Sequence, residues 1–207
     1  MYAQRLMSLN LPVVRPEDSV GKVLRLMDEY KVCHLALVNG EVFAGLMYEE
    51  DLMERDEETP LAAMEARPVS VEPQLHLYDV VSRLVESEVD AMPVVHEGKF
   101  LGCIEPKAVL RFLAESTHWA GLGAVLVLEV PKNDLSIAEI ARLVEGADAK
   151  VIACTTSQKD DSSNVEVTLK LNTQDVEPVI STFQRFGYSI QTFYHAPELE
   201  EEMRERY

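Results

Sequence analysis

The sequence predicts an α+β chain in two parts: a duplicated strand–helix–strand–strand–helix unit, then a βαββαβ unit. Three observations lead there. The first half maps onto itself when shifted by 57 residues. Both copies show the same order of helical and strand periodicities. From Ala124 onward strands and helices alternate once more. The 207 residues are 47% hydrophobic and 27% charged, a globular composition with length for two small domains.

The shift lays Pro16 to Leu52 over Pro73 to Val109 without a gap, with seven identities in 37 positions, among them Val38/Val95, Phe43/Phe100 and Gly45/Gly102. Val20, Val23, Leu24 and Met27 follow the i, i+3, i+4, i+7 spacing of a buried helix stripe, as do Leu77, Val80, Val81 and Leu84. Asp18 or Ser19 can cap the first helix. The apolar runs 35–38 and 92–95 predict strands, each followed by a turn, Asn39-Gly40 or Glu97-Gly98, and a second strand. Asn-Gly between apolar runs predicts a type I′ hairpin, with positive φ at both residues. A second helix is expected to start near Glu49 and near Pro106. Neither copy can cover both faces of its sheet alone, so the two are expected to pack as one unit.

The segments HLALVNGEVFAGLMYEEDL and AMPVVHEGKFLGCIEPKAVL carry a resemblance to a tandem pair of CBS domains. They match an apolar PVV-like strand, a turn, and Gly-apolar-apolar-Thr-x-x-Asp-apolar. The resemblance covers residues 1–116, with repeats at about 1–56 and 57–116. It implies a cytoplasmic regulatory module that forms dimers and binds an adenine nucleotide in a cleft between repeats.

Carried over residue by residue, Asp51 stands where the family's carboxylate accepts the ribose hydroxyls, and Tyr48 replaces the usual Thr or Ser. His34 stands where a basic residue reaches the phosphates, and Val13 and Val14 would supply the edge that holds the base. Asp51 reads equally as the first-turn acid of a helix, and His34 as a hydrogen-bonded histidine at a strand end. In the second copy Glu105, Ala108 and Ala91 replace the Thr, the Asp and the basic residue, so that site is expected not to take nucleotides.

Residues 117–123 form a linker that contains Trp119. Beyond it, Ala124–Val130, Lys150–Thr155, Val165–Leu171 and Tyr188–Tyr194 predict strands. Ile137, Ile140, Ala141 and Val144 mark one helix, which Asp134 or Ser136 can cap, and Val176, Val179, Ile180 and Phe183 mark another, closed by Gly187. That order is the split βαβ, ferredoxin-like plan. Residues 124–194 resemble an ACT domain through VLEVPKNDLSIAEIARLVEGADAKV and VEVTLKLNTQDVEPVISTFQRFGYSI. Leu135 lies in the turn where that family has a ligand-facing glycine, so the domain is expected to pair sheets between subunits without an amino-acid ligand. Residues 157–164 read as a polar hairpin tip. Residues 195–207 read as a polar tail with a short helix docking through Leu199 and Met203. A CBS pair followed by an ACT-like domain resembles the acetoin-utilisation type of regulatory protein.

A formal charge of −17 disfavours binding to nucleic acid or to anionic membranes. The N-terminus lacks a signal-peptide h-region, which adds to the expectation of a cytoplasmic protein. Cys33, Cys103 and Cys154 have no CxxC spacing and read as small core hydrophobes. No phosphate-loop, nucleophile-elbow or metal-ligand spacing is visible, so catalysis and metal binding are not expected. The resulting expectation is a non-catalytic homodimer that needs no cofactor. It would sense AMP, ADP, ATP or S-adenosylmethionine and act on a protein partner; the alternative is a ligand-free dimerisation and docking scaffold.

Overall fold

A computed structural model describes residues 1–116, 121–158 and 162–194. Trp119, Leu199 and Met203 lie outside these, as does the centre of the 157–164 hairpin tip. The chain divides into two compact units, Met1–Phe112 and Leu113–Tyr207. No helix among the described residues is long and apolar enough to cross a membrane.

The first unit begins with α1 (Val20–Tyr30), β1 (His34–Asn39), β2 (Val42–Tyr48) and the single turn α2 (Glu49–Leu52). Its second half repeats the order as α3 (Leu77–Ser87), β3 (Met92–His96), β4 (Lys99–Ile104) and α4 (Pro106–Ser116). α2 stops early because the residues from Glu54 to Glu58 are all charged and offer no further apolar stripe, whereas α4 continues through Val109, Phe112 and Leu113. Of the two capping residues expected for α1, Ser19 accepts from the Lys22 amide. Asp18 instead accepts from the Arg15 amide and pairs with Lys22.

The strand expected at the head of each repeat is reduced to one parallel bridge, Val14 to Leu37 and Val71 to Val94. Pro12 and Pro16 bracket the first bridge, Pro68 and Pro73 the second, and a proline has no amide to extend a ladder. The first hairpin also departs from expectation. Asn39 pairs with Val42, so the loop is Gly40-Glu41, with positive φ at Gly40 alone. That is the pattern of a type II′ turn. The second loop, Glu97-Gly98, has positive φ at both residues, as type I′ requires.

The four strands form one sheet in the order β1-β2-β4-β3. A local two-fold relation joins the halves: the Phe43 amide donates to the Gly98 carbonyl, and the Phe100 amide to the Glu41 carbonyl. The two phenyl rings stack 6.5 Å apart. The leads into the repeats are exchanged, since Ser8 bridges to Cys103 in the second repeat while Arg67 bridges to Leu46 in the first. Each repeat therefore closes its sheet with backbone that belongs in sequence to the other. At these crossings the chains approach too closely for a side chain. A Cβ on Gly45 would lie 2.5 Å from Ala66 Cβ, and one on Gly102 would lie 2.7 Å from the Ser8 carbonyl oxygen.

The second unit contains β5 (Val125–Pro131), α5 (Ile137–Glu145), β6 (Val151–Ser157), β7 (Asn164–Leu171), α6 (Glu177–Arg185) and β8 (Ser189–Tyr194). Its sheet order is β6-β7-β5-β8 and every pair is antiparallel. Alternation along β5 and β7 sends Leu126, Leu128, Val167 and Leu169 to a core shared with Val144 and Phe183, all fully buried. Ser136 caps α5 by accepting from the Glu139 amide. Asp134, the other expected cap, lies in a preceding short 3₁₀ turn.

Of the three cysteines only Cys103 is buried, and loss of solvation pushes its thiol up to about 12. The expectation of a core position fails for the other two. Cys33 precedes β1 in a bend, and Cys154 sits on β6, an edge strand of its sheet among the described residues.

Candidate functional site

The β1–β2 ladder pairs His34 directly with Tyr48, and their rings meet edge to face at 4.4 Å. Tyr48 is also the residue before α2, so Glu50 and Asp51 follow it within that helix's single turn. Burial pushes the Tyr48 phenol above its ordinary value, against the pull of the Arg67 charge.

Arg67 comes from the lead into the second repeat. Its backbone is held on both sides of Leu46, donating to the Leu46 carbonyl and accepting from the Leu46 amide. Its guanidinium grips Asp51, with Nη2 2.9 and 2.8 Å from the two carboxylate oxygens and Nε 3.1 Å from one of them. Nη2 also donates to Glu50 at 2.8 Å, and the guanidinium carbon lies 3.8 Å from the centre of the Tyr48 ring. The pairing holds the guanidinium in its charged form.

On the other side of Tyr48, His34 is buried and its Nδ1 lies 2.7 Å from Asp90 Oδ1. The other Asp90 oxygen accepts from the Cys33 amide at 2.6 Å. Burial raises the Asp90 carboxyl, but these hydrogen bonds outweigh it and leave the group below the ordinary carboxylate value. A continuous chain of contacts thus runs from Asp90 through His34, Tyr48 and Arg67 to Asp51.

Beside its outer end lies a cavity of 500 Å³, whose charged lining is Glu50, Asp51, Glu54 and Glu65 against Arg55 and Arg67. The structure therefore brings His34, Tyr48 and Asp51 onto one chain of contacts. Val14 is fully buried in the first repeat's core, and Val13 packs against a second cluster with Ala36, Val38, Ala91 and Cys103. Neither valine lines the cavity.

Two members of this chain escape the sequence reading. Asp90 had a signal: the 57-residue shift places it opposite Cys33 across the local two-fold. Arg67 had none, because nothing in the sequence reveals that the leads are exchanged.

The geometry defines a class: a duplicated α+β module whose repeats complete each other's sheets and leave a polar cavity where a lead crosses. The CBS domain model matches residues 3–58 and 61–115, more than half of the chain, and the chain belongs to that family. An uncharacterized 33.4 kDa protein in a ribosomal RNA operon of Thermofilum pendens is 27% identical over 128 residues, 53% of this chain and 43% of its own length. The chain thus matches less than half the length of that curated relative. Among solved structures, a CBS domain pair/ACT domain protein from Thermotoga maritima superposes with a TM-score of 0.52 at 20% identity, over 56% of this chain and 98% of its own. An acetoin utilization protein from Vibrio cholerae superposes with a TM-score of 0.50 at 17% identity, over 58% and 95%. These two likenesses concern the fold.

Proposed function

We propose that the chain is a non-catalytic regulatory homodimer that senses an adenine nucleotide or related metabolite, such as AMP, ADP, ATP or S-adenosylmethionine, at the first repeat. The observation that carries this reading is Asp51 on the lining of a cavity of about 500 Å³, joined through Arg67 to Tyr48 and His34, which stand behind that lining. The second repeat has Ala91, Glu105 and Ala108 at the equivalent positions, so at most one site per pair remains in this reading. Ligand binding would shift the pairing of subunits only through a difference in affinity for their arrangements.

In this reading the second unit is an ACT-like domain. The βαββαβ order with sheet order β6-β7-β5-β8 supports it. Leu135, in the turn before α5, packs against that unit's core, which favours sheet pairing over amino-acid binding.

The test is a thermal-shift series with those four ligands on the chain and on Asp51→Ala. At 100 times its dissociation constant the ligand adds about 2.7 kcal/mol, raising the melting point by roughly 5–10 °C. That rise is expected to vanish in the variant. A flat series, or an equal rise in both proteins, overturns the reading.

One observation favours the ligand-free scaffold instead. The pair Arg67–Asp51 is replaced as a pair in the second repeat, where Ser8 and Ala108 stand at the equivalent places. That is the pattern expected if Asp51 serves to anchor Arg67. The scaffold reading requires a dimer whose sedimentation is unaltered by any of the four ligands.

A further inference from the structure

Resting on the nucleotide reading, we infer that Arg67 is an internal competitor for the ligand, occupying both groups that a ribonucleoside would use and leaving when it binds. A ribonucleoside needs a carboxylate for its two hydroxyls and a flat face for its base. The Arg67 guanidinium is itself flat and forked. It fills the Asp51 carboxylate with three hydrogen bonds while lying on the Tyr48 ring at 3.8 Å. Both partners are therefore taken in the free protein.

The backbone of Arg67 is fixed to Leu46 on both sides, so release is a side-chain movement. Glu50 already accepts from Nη2 at 2.8 Å and is mostly exposed, which gives the displaced guanidinium a resting place. Moving there keeps the charge near the cavity and leaves the lining at four carboxylates against two guanidiniums. Such a lining favours a neutral nucleoside and weakens binding with each added phosphate charge. Arg67 thus has two opposite effects: it competes with any ribose, and it softens the repulsion of any phosphate.

These effects separate in calorimetric titrations of the full chain with adenosine and with ATP at low salt, comparing wild type, Arg67→Ala and Arg67→Lys. Removing an exposed fork and its ring contact is expected to tighten adenosine about three- to tenfold in Arg67→Ala. ATP should not tighten there, because the cation is lost with the competitor. Lysine keeps the charge without the planar fork, so Arg67→Lys should tighten adenosine while holding ATP at least at its wild-type affinity. Adenosine affinity that is unchanged or weakened in Arg67→Ala overturns the inference. If nucleotides still bind and depend on Asp51, the nucleotide reading survives that result. If no nucleotide binds wild type or either variant, both fall together. Melting curves for the two variants verify that the Leu46 crossing still folds.

Discussion

The two repeats share a backbone and differ in chemistry. Several features that shape the first recur 57 residues later: the parallel bridges at Val14 and Val71, the left-handed residues Lys31 and Glu88 that end α1 and α3, and the close crossings at Gly45 and Gly102. The side chains on that backbone do not recur. Tyr48 and Asp51 face Arg67 in the first repeat, where the second has Glu105, Ala108 and Ser8. Cys33 and Asp90 occupy equivalent places on the local two-fold, yet one contributes an amide and the other a carboxylate. Folding demands apolar packing and room for the crossings at both places. It makes no such demand on the polar rim, which is free to specialise in one copy.

The largest expected effect tests whether the two cores are equivalent. Met47 and Ile104 are matched and both buried to within 1% exposure. Met47→Ala and Ile104→Ala should each cost about 2–5 kcal/mol in urea unfolding. A cost below 1 kcal/mol for one alone would mean that the repeats do not share the load.

Next in size is Asp90→Ala, which strips the buried His34 Nδ1 and the Cys33 amide of their acceptor and should cost about 1–3 kcal/mol at neutral pH. The Asp90 carboxyl sits below its ordinary value in the folded chain. Its contribution is therefore full above the unfolded-chain value of about 4 and is lost as pH falls through the folded one. Wild type should lose stability over that acid range more steeply than the variant. Parallel acid limbs would remove Asp90 from the account of how the repeats are joined.

The smallest effect is expected at Lys99, which reaches from the second hairpin to Glu41 in the first at 2.9 Å. Both groups are exposed, so Lys99→Ala should melt like wild type. A clear loss would show that the hairpins depend on charge and not on the Phe43 and Phe100 pairing.

The repeat was legible because apolar periodicity and the glycines before the second helix survive in both copies. The second unit was legible from alternation along Val165–Leu171 and the stripe through Val179 and Phe183. The leading strands and the first turn were misread for local reasons: prolines that remove amides, and a loop that began one residue later than Asn-Gly suggests. Asp51, His34 and Tyr48 were singled out by position in a motif, but their partners were not.

The sequence by itself determined the duplication, the order of elements and the side of each helix that is buried. These follow from spacings of a few residues, which repeat along the chain. Only the tertiary structure decided that Arg67 meets Asp51 and that Asp90 meets His34. Those pairs lie 16 and 56 residues apart in the chain. They are made by the exchange of leads and by the local two-fold, and neither leaves a periodic trace in the sequence.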